Sequence, residues 1–163
     1  MRSHPSTLLV FAVAALCCGS AIAGLNEGID AIIKGDYAAA LKELRPLAEH
    51  GNAEAQYRLG RMYEFGRGVP KDITQALAWL RKSAAAGNAN AQQELGVMYY
   101  NGDGVPRDEA QGVAWFQKAA TQGNATAQYN LALMYAKGAG VPVDLPLAIS
   151  WFCLLYTSPS PRD

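Results

Sequence analysis

Apolar side chains recur along this chain at spacings of i, i+3, i+4, i+7 and i+8, which gather on one face of an α-helix. Ala55, Leu59, Met62 and Tyr63 form one such set, and Ala76, Trp79, Leu80 and Ala84 form the next. Two amphipathic helices, here A and B, are therefore predicted. Trp is expected to supply most of the buried area of B, and Ala to let the pair approach closely. Between them, "FGRGVP" carries Gly66 and Gly68, which can take positive φ, and Pro70, which cannot continue a helix. Helix B opens at Asp72 with Gln75 three positions on, and Asp108 with Gln111 repeats the arrangement, so both predict capping boxes. Asp144 is followed by Pro146 and Leu147, which predicts a weaker third cap. Gly51-Asn52, Gly87-Asn88 and Gly123-Asn124 each set a C′ glycine before an N-cap asparagine, so one helix should close and the next open within two residues.

The pattern repeats. Trp79, Trp115 and Trp151 stand 36 residues apart, a period in the solenoid range. The units run from 53 to 88 and from 89 to 124, with a shortened third from 125 to 152. Residues 24–52 read as an N-terminal capping hairpin, a half repeat in which Leu25 to Lys34 should form a short, irregular helix. Pro46 should remove one backbone bond from the first helix B and bend it. The pattern breaks at Cys153, where a polar pair, small residues and Gly-Asn are expected next. One codon choice for residues 153–163 resembles the adapter of transposon-based sequencing libraries. Those residues are therefore read as translated adapter, with the natural chain continuing.

Composition narrows the functions. A chain of 163 residues, half of them apolar or aromatic, can bury a core. Fourteen basic and fourteen acidic residues leave no electrostatic footprint for nucleic acid or an anionic membrane. Residues 1–23 have Arg2, an apolar run from Leu8 and Ala21-Ile22-Ala23, the build of a signal peptide cleaved after Ala23. Periplasmic or secreted localisation follows as an expectation, without stable membrane insertion after cleavage. Cys17 and Cys18 leave with the leader and Cys153 lies in the anomalous tail, so packing alone must hold the rest.

Candidate chemistry is sparse. His50, the one histidine beyond the leader, sits at a helix C-terminus, where a cation complements the dipole. "NGDG", residues 101–104, hints at a cation loop, but Asp103 aligns with Arg67 and Ala139, so a turn is the better reading. Asn124-Ala125-Thr126 is formally a glycosylation sequon whose alignment with Asn52 and Asn88 is explained by capping. The tryptophan ladder keeps phase with helix B and reads as core. No metal, cofactor or catalytic set is assigned.

These units, of the form AxAQ..LG..Y..G.GVP.D....A..W..KAA..GN, resemble the Sel-one-like repeat (SLR) family, a branch of the tetratricopeptide-like solenoids. Ala132 departs from Gly60 and Gly96, and Gly112 from Ala76. The resemblance implies an all-α fold, an α/α right-handed superhelical solenoid of 36-residue helical-hairpin repeats. A solenoid offers an extended concave surface, and residues that vary on a fixed frame are free to specify a partner. On helix A these are Tyr57, Arg58 and Arg61, then Gln93, Glu94 and Val97, then Tyr129, Asn130 and Leu133. Their chemistry suits a protein or peptide partner. The expected function is an exported, non-catalytic scaffold. The resemblance leaves two alternatives: a β-lactam-binding or hydrolysing envelope enzyme of the cysteine-rich kind, and the N-terminal arm of a larger envelope polysaccharide or secretion component.

Overall fold

The computed structural model describes residues 23–157, and these form eight helices with no strand among them. They are α1 (residues 23–34), α2 (Tyr37–Glu49), α3 (Ala53–Phe65), α4 (Ile73–Ala85), α5 (Ala89–Asn101), α6 (Glu109–Thr121), α7 (Ala125–Lys137) and α8 (Leu145–Thr157). Helices α3, α5 and α7 are of type A, and α2, α4, α6 and α8 of type B. Each packs on its predecessor and its successor in the chain, so the array is an α/α solenoid. Residues 1–22, which hold all of the leader but Ala23, and the last six residues lie outside the described residues. Residues 153–157 continue α8.

The six helices from α2 to α7 are each 13 residues long, because the same devices stop and start them. At Gly51-Asn52 the glycine takes φ +91° and donates its N–H to Ala48, while the Asn52 N–H reaches Leu47. This is a Schellman closure, and the Asn52 side chain then accepts the Ala55 N–H at 2.9 Å to open α3. Asn88 and Asn124 do the same for α5 and α7. One residue thus closes a helix with its backbone and opens another with its side chain.

The aspartate caps depart from the expected box. Asp72, Asp108 and Asp144 accept the N–H of Gln75, Gln111 and Leu147 at 3.0, 2.9 and 2.9 Å. Their own N–H groups go to the carbonyls of Tyr63, Tyr99 and Tyr135 on the preceding helix. A backbone bond across the hairpin therefore replaces the reciprocal bond to glutamine. That is why the third cap, with Leu147 in place of glutamine, is as short as the others. In the A–B loops the second glycine touches the neighbouring unit: a Cβ on Gly140 would stand 2.4 Å from the Glu109 backbone. With φ at +71°, only glycine fits that approach.

The core lies between each B helix and the A helix that follows it. Leu44 and Ala48 of α2 meet Leu59 and Met62 of α3; Leu77 and Leu80 of α4 meet Leu95 and Met98 of α5; Val113 and Phe116 of α6 meet Leu131 and Met134 of α7. The tryptophans are only half-buried: Trp79 and Trp115 bridge onto the preceding cluster, with Lys82 and Lys118 over their rings at 4.3 and 4.1 Å. Leu80 and Phe116, not tryptophan, fill the centre of helix B. Ile149 repeats the positions of Leu77 and Val113, yet is 61% exposed against their 7% and 5%, so the outer face of α8 is open.

One expectation for the first hairpin changes. Residues 23–34 form a regular helix, in which Gly28 lets α1 lie directly on Leu44, where a Cβ would come within 2.6 Å. Pro46 lies inside α2, and its carbonyl takes the His50 backbone N–H at 3.0 Å and faces His50 Nδ1 at 2.6 Å. His50 thus caps the C-terminal end of its helix.

Candidate functional site

The A helices are held in a row by contacts that recur every 36 residues. Buried Gln56, Gln92 and Gln128 donate from Nε2 to the carbonyls of Ala48, Ala84 and Ala120, at 3.0, 3.1 and 3.2 Å. Those carbonyls belong to the last turn of the preceding B helix, which has no intrahelical donor for them. Each A helix is thereby clamped to the unit before it. The cap asparagines add a second link: Asn88 donates to Glu54 and Asn124 to Asn90, tying the first turns of neighbouring A helices together at 2.9 and 3.0 Å. The frame fixes where each variable side chain stands.

The nine candidate residues do not form one continuous site. At the seam between α3 and α5, Arg61 bonds Glu94 across the two helices. Arg61 also stands 3.5 Å from Glu64 and 4.6 Å from the centre of the Phe65 ring. Burial pushes the Glu64 carboxyl above the usual carboxylate range; Arg61 opposes this, Asp103 adds to it and Lys71 opposes it. This seam is closed by charge.

At the seam between α5 and α7 the same positions hold different chemistry. Val97 replaces Arg61, Asn130 replaces Glu94 and Tyr100 replaces Glu64. With Leu133 they surround a groove of about 300 Å³, floored by Phe116 and Met134 and rimmed by Asn101 and Lys137. A smaller hollow of about 130 Å³ lies by α1, where Tyr57, Arg58 and Arg61 meet Ile32 and Arg67. Arg58 is committed to Glu54 of its own helix at 2.7 Å. Tyr129 is half-exposed, its ring edge-on to Phe152 with centroids 5.8 Å apart, and Gln93 is half-buried. So Val97, Asn130 and Leu133 share a cavity, Arg61 and Glu94 lock each other, and Tyr129 stands apart.

The Sel1 repeat signature matches residues 53–88, 89–124 and 125–156. The chain belongs to the Sel1 repeat family. Its fold is shared with the crystal structure of a Sel1 repeat protein from Oxalobacter formigenes, at 41% identity and a TM-score of 0.69 over 76% of this chain and 36% of that one. It is also shared with a protective antigen of uropathogenic Escherichia coli strains that displays an SLR fold, at 36% identity and a TM-score of 0.77 over 95% of this chain and 33% of that one. This Sel1 chain thus spans about a third of the length of those solved relatives. DAP3-binding cell death enhancer 1 of Rattus norvegicus and of Mus musculus is 40% identical over 48 residues, 29% of this chain and 9% of theirs.

Sequence reasoning missed part of the Sel1 groove. Tyr100, Asn101 and Lys137 lie about one turn beyond the candidate positions on the same face, and continuing the helical period from Val97 and Leu133 would have reached them. The glutamines of the AxAQ motif were visible but had no assigned task. Their signal was a polar residue recurring in phase with core positions. Asn101 Nδ2 donates to Asp103 at 3.1 Å, consistent with a turn at "NGDG". Among the described residues no three His, Cys, Asp or Glu side chains gather as a metal site, and no helix is long and apolar enough to cross a membrane.

Proposed function

We propose that this chain is an exported Sel1 repeat scaffold that binds a protein or peptide partner through the row of A helices. Sel1 repeats typically serve as non-catalytic scaffolds that mediate protein interactions. One observation carries the reading: on a frame that repeats almost unchanged, the A-helix face varies, and one of its seams opens into an apolar groove. Export rests on the leader's Arg2, its apolar run from Leu8 and Ala21-Ile22-Ala23, and cleavage after Ala23 leaves residues 24–34 of α1 in the mature chain.

The test is chemical cross-linking of the purified chain to cell-envelope extract, followed by mass spectrometry. A triple variant, Tyr57→Ala, Tyr129→Ala and Leu133→Ala, should lose the captured partner while keeping its helical circular dichroism. Undiminished capture would sink the reading. Export is tested by fractionation and N-terminal sequencing, which should begin at Gly24.

A second reading, that this solenoid is one arm of a longer assembly, is favoured by Ile149, exposed where Leu77 and Val113 are covered. Appending a further repeat after Phe152 should then raise the melting temperature. An appended repeat that stays unfolded would count against it.

A further inference from the structure

The groove between α5 and α7 has a definite chemical character, and it narrows the partner that the interaction reading requires. Val97, Tyr100 and Leu133 make its walls apolar, while Asn101, Asn130 and Lys137 supply amide groups and one cation. None of its lining side chains is acidic, and no ion pair engages Lys137 among the described residues. The volume, about 300 Å³, lies at the lower end of ligand clefts, which run to about 1,000 Å³, and holds one or two aliphatic side chains but no domain edge.

We propose that this groove docks an extended segment of a partner protein in which an aliphatic side chain is flanked by aspartate or glutamate. The aliphatic group fills the space between Val97 and Leu133, removing apolar surface from water on both sides. The neighbouring carboxylate meets Lys137, and the Asn130 amide donates to the segment's backbone carbonyls, as does the Asn101 Nδ2 hydrogen left over from its bond to Asp103. Charge complementarity selects an acidic over a basic segment, because a lysine or arginine beside the aliphatic residue would face Lys137 with nothing to pair with. The α3/α5 seam offers no such site, since Arg61 and Glu94 already span it.

This inference rests on the interaction reading, and one experiment separates the two. The full chain is immobilised and panned with random peptides of about twelve residues, which reach roughly 40 Å when extended. Enriched peptides are sequenced, resynthesised with a fluorophore and titrated by anisotropy. Two variants are compared with the parent. Val97→Arg with Asn130→Glu transplants the ion pair of the neighbouring seam, and so has a folding precedent in the same molecule. Lys137→Glu reverses the one charge at an exposed position.

The expected result is enrichment of aliphatic residues flanked by Asp or Glu, with affinity falling about tenfold or more in the double variant and in Lys137→Glu. Panning on Lys137→Glu should shift the enriched peptides toward lysine and arginine. Peptides that bind the parent and both variants equally, or whose flanks are basic, overturn the groove assignment and leave the interaction reading standing. No enrichment over bare support overturns both.

Discussion

The α3/α5 and α5/α7 seams are successive copies of one arrangement, 36 residues apart, with the same capping asparagines, glutamine clamps and loop glycines. They differ at a few solvent-facing positions. Arg61 and Glu94 bridge the first across 33 residues; Val97 and Asn130, at the same separation, leave the second open. Spacing of the A helices therefore does not depend on the ion pair. The clamps and caps set the spacing, and the seam residues decide whether the space between helices is filled by the protein or left for something else.

The most severe way to test that division is to strike the shared frame. Leu95 is fully buried where α5 meets α4, and it anchors the helix that borders both seams. Leu95→Ala should cost about 2–5 kcal/mol and lower the denaturation midpoint of the whole array. A loss confined to one hairpin, seen by hydrogen exchange, would mean that the seams fold independently.

A milder probe distinguishes frames that look identical in sequence. Gly96 and Gly60 occupy the same position, but a Cβ on Gly96 would meet the Phe116 ring at 2.6 Å, while one on Gly60 would meet the Leu80 side chain at 3.0 Å. Gly96→Ala should destabilise by about 1–3 kcal/mol through overpacking. Gly60→Ala should cost less, because Leu80 and the Ala76 carbonyl, at 3.0 and 3.3 Å, need give by far less than the Phe116 ring. The gain in helix propensity, up to about 1 kcal/mol, offsets part of that cost. Thermal melts of the two variants compare them directly.

These packing differences also explain which parts of the molecule were legible in advance. Helix limits depended on local chemistry, in Gly-Asn pairs, aspartate caps and apolar faces, and such signals lie within a few residues of where they act. The groove depends on residue 97 facing residue 130, which requires knowing how successive A helices stand beside each other. The nine candidates were chosen on single helices, so they included both halves of a locked pair, Arg61 and Glu94, as if each were free. The expected reciprocal bond from Gln75 and Gln111 failed for the same reason: its place is taken by the carbonyls of Tyr63 and Tyr99 on another helix.

Removing the lock tests whether it merely fills its seam. Glu94 is largely buried and Arg61 only partly so, with side-chain exposures of 15% and 34%. Glu94→Gln should therefore cost about 1 kcal/mol, less than a fully buried pair would. If the clamps set the spacing, the Asn88–Glu54 and Gln92–Ala84 bonds persist in this variant, and hydrogen exchange at the start of α5 stays slow. Faster exchange there would make the ion pair part of the frame.

The smallest expected effect concerns the third charge in the same seam. Glu64 Oε2 is buried without a hydrogen bond, and Arg61 Nε stands 3.5 Å away. Burial raises this carboxyl above its ordinary value of 4.5, with Asp103 reinforcing and Arg61 and Lys71 opposing. A group whose pKa is raised on folding binds its proton more tightly in the native state, so its contribution is fully present below 4.5 and is lost as pH climbs through the raised value. Near neutral pH the ionised Glu64 therefore works against the fold. Glu64→Gln should be more stable than the parent at about pH 7, and the difference should vanish by about pH 4, as read from urea midpoints across that range. If the variant is instead less stable at neutral pH, attraction to Arg61 outweighs burial and the seam is closed by three charges rather than two. Tyr100 holds this position in the open seam, so Glu64→Tyr asks the same question with the neighbour's own residue.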